Sequence, residues 1–255
     1  MSYLPGMPTL RRFPTAEALY DGAADLVVTL LAEAREKNGR ASLALAGGST
    51  PRSLYERLAA LPRASQIDWS RTFVYFGDER CVPADSGSSN FRMASEALLS
   101  KVPLPASHVF RIEGERPPAD AAARYAALLS EAPPLDVVLL GMGDDGHTAS
   151  LFPDTPDLES QRAGSGARVI ATRSPVDPPD RVSLTLRSIN EAGHVLFLVS
   201  GAGKAACLAE VLEQRWASRA GGTRPTLPAA LVKPESLTFL VDEAAARYVP
   251  GGSSP

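Results

Sequence analysis

Apolar residues recur along this chain with two alternating periods. Over residues 15–37, Leu19, Leu26, Val27, Leu30 and Leu31 fall on one side of a 3.6-residue repeat, which predicts an amphipathic helix ending near Asn38-Gly39. The apolar runs at 42–46, 72–76, 135–140 (broken only by Asp136) and 194–199 are too brief for helices and read as buried strands. Weaker strand patterns lie at 109–112, 168–172 and 182–186, and 237–241 is the last strand. Helical patterns fill the spaces between them. One runs over 50–61 with Pro51 at the favoured first position, one over 90–101 with Asn90 as its cap, and others over 118–131 and 204–216. Asp242 starts a short last helix. Residues 77–89, 174–180 and 217–226 follow neither period and read as loops, the last of them mobile.

Strands alternating with helices predict an α/β fold: a mostly parallel sheet covered by helices on both faces. No internal repeat or low-complexity linker divides the sequence, so one domain is expected over 1–255, with an ordered core at about 15–247 and a tail at 248–255. At 255 residues, 44% hydrophobic and 22% charged, the chain can bury a full core. A net charge of −3 argues against a nucleic-acid partner. The two cysteines, Cys81 and Cys207, have no metal-ligand spacing, which points away from zinc or a disulfide framework and toward a reducing compartment. Residues 1–14 lack the apolar core of a signal peptide, and no stretch reaches the roughly 20 apolar residues of a membrane span. A cytoplasmic protein with no membrane partner is expected.

The chemistry concentrates where strands end, which is where ligands gather in such sheets. After the 135–140 strand comes G-M-G-D-D-G-H (141–147). Its glycines allow a sharp turn, and Asp144, Asp145 and His147 follow in a position suited to general-base work. The segment formally matches G-x-G-x-x-G, but two aspartates would meet the pyrophosphate, Pro153 and Pro156 would cut short the following helix, and no strand ending in an acidic residue stands about 20 residues on. A-G-G-S-T-P (46–51) passes from strand to helix, so Gly47, Gly48, Ser49 and Thr50 can offer free amides and hydroxyls to a phosphate; an ordinary capped turn explains them equally well. In F-G-D-E-R-C-V-P (76–83), Arg80 could fork onto an anion, although a solvated charged loop is the blander account. S-G-A-G-K (200–204) resembles the tail of a P-loop but lacks the glycine at Leu198 and the hydroxyl at Ala205. Lys204 is left as a point charge for phosphate or as a plain surface lysine. His108 and His194 lie at strand starts without polar clusters and suit structural roles.

Together these segments, with S-N-F (89–91), R-V-S-L-T-L (181–186) and L-V-S-G-A-G-K-A (198–205), resemble the 6-phosphogluconolactonases in order and spacing from about residue 15 to 247. The resemblance implies the Rossmann-like fold shared with glucosamine-6-phosphate deaminases. It also implies hydrolysis of 6-phospho-D-glucono-1,5-lactone in the pentose phosphate pathway, without metal or cofactor. His147 would activate water, Asp145 would orient it, and Arg80 would sit near the sugar or the oxyanion. Gly47, Gly48, Ser49, Thr50, Arg181 and Lys204 would hold the phosphate, with Asn90 assisting. Deaminases carry a similar turn but continue Ile-Ala-Phe-Asn-Glu-Pro, whereas this chain continues Thr148-Ala149-Ser150-Leu151-Phe152-Pro153, the lactonase form. A deaminase/isomerase or a non-catalytic sugar-phosphate sensor are the competing readings, and a monomer or homodimer is expected.

Overall fold

The computed structural model describes residues 8–164, 166–222 and 224–250. In chain order the elements are β1 (Thr9–Phe13), α1 (Ala16–Asn38), β2 (Ala41–Leu45), α2 (Ser49–Ala59), α3 (Arg63–Gln66), β3 (Thr72–Phe76), β4 (Asp78–Arg80), α4 (Asn90–Ala94) and α5 (Pro118–Glu131). There follow β5 (Val137–Leu140), α6 (Pro156–Arg162), β6 (Val169–Arg173), β7 (Asp180–Leu184), α7 (Leu186–Asn190), β8 (His194–Val199), α8 (Ala205–Arg219), α9 (Pro228–Leu231), β9 (Ser236–Asp242) and α10 (Glu243–Ala246).

Six strands form an all-parallel sheet in the order β1-β9-β8-β5-β2-β3, and β4-β7-β6 form a small antiparallel sheet beside it. Every residue of β2 and β5 is buried, as is all of β8 after His194, so both faces of the central sheet are covered. Phe197 and Phe239 stack across β8 and β9 with ring centroids 4.6 Å apart. The local signals read from the sequence act as expected at α1. Thr15 Oγ1 accepts from the Ala18 amide at 3.2 Å, and Gly39, at φ 72°, closes the other end.

Several elements differ from the sequence reading. The sheet begins before residue 15, because Thr9–Phe13 runs parallel to β9 as an edge strand. Of the expected tail, Val249 is buried and 251–255 lie outside the described residues. Residues 78–80 are a strand, not loop. Ser89, not Asn90, caps α4: its hydroxyl accepts from the Arg92 amide, and the expected helix to 101 changes to a π turn over Ser95–Leu99. Val109 makes a single bridge to Val74, and stacking of Phe110 on Tyr75 replaces a ladder. No helix follows the glycine turn before Pro156, as expected, and Pro156 itself opens the short α6 behind a Thr155 cap. The expected 217–226 loop is helical to Arg219, and Gln214 Oε1 accepts from the Thr226 and Leu227 amides. Among the described residues no helix is long and apolar enough to cross a membrane.

Candidate active site

Strands β2 and β3 follow one another toward one edge of the sheet, while β5, β8 and β9 step toward the other. The direction reverses between β2 and β5, which opens a crevice at their carboxyl ends. A cleft of about 300 Å³ lies there, bordered by Gly47 and Gly48 after β2, Gly141 to Gly143 and His147 after β5, Lys204 after β8, and Asp78, Arg80 and Arg181 from the small sheet.

The turn after β5 closes on itself. The Gly143 amide donates to His147 O at 2.9 Å, the Gly146 amide donates to Gly143 O, and Thr148 Oγ1 donates to Gly141 O at 2.8 Å. This brings Asp145 Oδ1 to 2.6 Å from His147 Nδ1 and 3.1 Å from the His147 amide. Partial burial pushes the Asp145 carboxyl up, but its bonds with His147 hold it below the usual carboxylate range. With the carboxylate on Nδ1, a neutral imidazole keeps its lone pair on Nε2. The Phe152 ring packs 4.9 Å from the imidazole. A Cβ on Gly143 would overlap both His147 Nδ1 and Asp145, so only glycine allows the pair to form here. Beyond it Ala149 takes φ 48°, a strained conformation for a side-chain-bearing residue, in the tight Thr148–Leu151 bridge.

The small sheet supplies a charged wall. Alternation along β4 turns Asp78 and Arg80 to one face and Glu79 to the other. Arg80 stands directly opposite Arg181 on β7, a like-charge pair that costs stability unless an anion meets it. Arg181 is only 5% exposed, and its Nη1 has no hydrogen-bond partner. Burial, and then the charge of Arg80, lower its hold on its proton. Arg80 Nη1 donates to Asn90 Oδ1 at 2.6 Å and to Ser88 O at 2.9 Å, while Asn90 Nδ2 donates to Asp78 O. Behind the wall, buried Glu79 accepts from the Arg80, Asn90 and Phe91 amides and from Ser89 Oγ. Burial raises its carboxyl above the ordinary value in spite of these bonds.

Gly48, at φ 105°, leads into α2 with no side-chain cap, and Gly47 and Gly48 border the cleft just before that helix begins. Ser49 and Thr50 begin the helix but do not line the cleft. Lys204 does, and its Nζ lies 2.6 Å from Asp144 Oδ1. His108 and His194 lie away from the cleft, bonded to Thr72 O and Ser236 Oγ.

The sequence reading missed Ser150 and Ser183. Ser150 Oγ donates to Asp78 Oδ2 at 2.6 Å, and its amide donates to Ser183 Oγ at 3.1 Å. Their only sequence signal is polarity at positions where neighbours are apolar. Ser174 and Val176 of the 174–180 loop also reach the cleft.

Comparison with known proteins shows what the chain resembles. The family described as glucosamine-6-phosphate isomerases/6-phosphogluconolactonase matches residues 14–241. The 6-phosphogluconolactonase of Rattus norvegicus is 38% identical over 96% of this chain and 94% of its own. The crystal structure of 6-phosphogluconolactonase from Thermotoga maritima superposes with a TM-score of 0.77 at 31% identity, covering 92% of this chain and 99% of that one. A monomeric glucosamine-6-phosphate deaminase, at 21% identity and a TM-score of 0.78 over 94% of this chain and 99% of its own, shares the fold.

Proposed function

The chain belongs to the glucosamine-6-phosphate isomerase/6-phosphogluconolactonase family, and we infer that its cleft carries out the lactonase reaction of that family. It is an enzyme that hydrolyses 6-phospho-D-glucono-1,5-lactone to 6-phospho-D-gluconate, a step of the pentose phosphate pathway. The lactone carbonyl is already electrophilic, so the protein must supply an activated water, charge stabilisation and an anchor for the distant phosphate.

His147 Nε2 takes a proton from water as the oxygen bonds to the carbonyl carbon. The tetrahedral oxyanion forms beside Arg80, the ring C–O bond then breaks and the proton passes to the departing ring oxygen, and the carboxylic acid so formed releases its own proton to solvent to give the carboxylate. Asp145 fixes the tautomer and steadies the transient imidazolium. The α2 amides, Lys204 and Arg181 hold the phosphate. Arg181 is suited to this because its buried guanidinium carries an unmatched donor. Asn90 keeps Arg80 turned to the cleft, and Ser49 and Thr50 act through the helix start they form. A cytoplasmic location and a monomeric or homodimeric state are part of this reading; the free cysteines Cys81 and Cys207 fit the location.

The observation that carries the assignment is the 2.6 Å contact of Asp145 with His147 at the border of a cationic cleft. In a dehydrogenase-coupled assay, His147→Ala should lose about 100- to 10,000-fold in turnover while still binding phosphate. Wild-type turnover in that variant would remove the proposed base.

A further inference from the structure

Lys204 faces the cleft from the loop after β8, yet its ammonium is already engaged, 2.6 Å from Asp144 Oδ1 on the turn after β5. The two partners are unequal. Asp144 is 76% exposed at the rim and does not line the cleft, whereas Lys204 is 30% exposed and does. The backbone under Lys204 is fixed, because buried Asp242 accepts from both Ser200 Oγ and the Gly201 amide. Only the long side chain is free to swing, and a lysine ammonium has no fork geometry that would favour one acceptor over another.

A phosphate arriving at Lys204 must therefore displace a carboxylate, and a departing one leaves a carboxylate ready to retake the ammonium. We propose that Asp144 is a competing counterion that weakens the hold of Lys204 on the phosphoryl end of substrate and product, and so speeds product departure. This rests on the reading of Lys204 as a phosphate anchor. The device suits the reaction, because hydrolysis turns a neutral ester into a carboxylate and leaves a product one charge more negative than the substrate. Asp144 sits one residue before Asp145, so the carboxylate that orients the base and the one that frees the anchor share a turn.

The test is titration of inorganic phosphate and 6-phosphogluconate, followed by calorimetry, into wild type, Asp144→Asn, Lys204→Ala and the double variant. Asp144→Asn should bind both about two- to fivefold tighter, with KM and the product-inhibition constant falling together and kcat not rising. Asp144→Ala should act in the same direction, Asp144→Glu should restore wild-type values, and added salt should shrink the difference. The gain should vanish in the Lys204→Ala background. Unchanged or weaker phosphate binding by Asp144→Asn, while Lys204→Ala loses affinity, overturns the counterion role alone. Unchanged binding by Lys204→Ala overturns the anchor, and the counterion role with it.

Discussion

His147, Asp145 and Gly143 show how much chemistry one turn can hold. The proposed base and the carboxylate proposed to orient it are two residues apart, so local geometry brings them together, and the sequence displays the pair openly. Gly143 is as much a part of the site as either, since a methyl group there would occupy the space of the imidazole and the carboxylate. Gly143→Ala should therefore fold with a near-native circular dichroism spectrum and lose most of its turnover. Wild-type kcat in that variant would show that the pair has room to shift. Asp78 and Ser150 present the opposite case. They are bonded at 2.6 Å but lie 72 positions apart, and nothing in either local stretch points to the other.

Among the elements, long helices and central strands were legible because burial on one or two faces imposes a period. α5 and β8 begin and end where the pattern places them. The strands that escaped notice, β1 and β4, are short and carry arginines, Arg11 and Arg12 in the first and Arg80 in the second. β1 is an edge strand only partly buried, and β4 turns Asp78 and Arg80 toward a cleft and Glu79 onto backbone donors, so neither needs an apolar pattern. β4 is held by Glu79, whose carboxylate gathers four donors from residues 80 to 91. Glu79→Ala would strand several of those donors, and should lower unfolding stability by roughly 3 kcal/mol in urea titration. It should also reduce kcat/KM, because Arg80 and Asn90 are positioned by that loop. A stability loss with unchanged kcat/KM would separate the loop from the site.

For the whole molecule, acid sensitivity follows from its carboxylates. Glu115 is pulled from 4.5 down to about 2 by its bonds from Arg111, and Arg116 and Arg187 hold Glu113 and Glu191 below the ordinary value. A carboxyl with a lowered folded pKa stabilises the fold above its unfolded value and loses that contribution as pH falls through the folded one. Glu79 acts with the opposite sign: raised by burial, its charge is a burden that acidification relieves. Asp68, Glu96 and Asp145 are lowered too, so with six lowered carboxyls against one raised the urea midpoint should decline between about pH 4.5 and 2, less steeply in high salt because most of the pairs are exposed. A flat midpoint over that range would show that these ion pairs contribute nothing. The site itself draws on three adjacent parallel strands and a separate small sheet, and that assembly could not be read from any one segment.

The pairing of β1 with β9 has a consequence for biosynthesis. Thr9 aligns with Thr238 and Phe13 with Asp242, so among the described strands the first to be synthesised has no sheet neighbour until the last of them appears. Arg11 and Arg12 give that waiting segment a positive charge, which discourages premature self-association during translation.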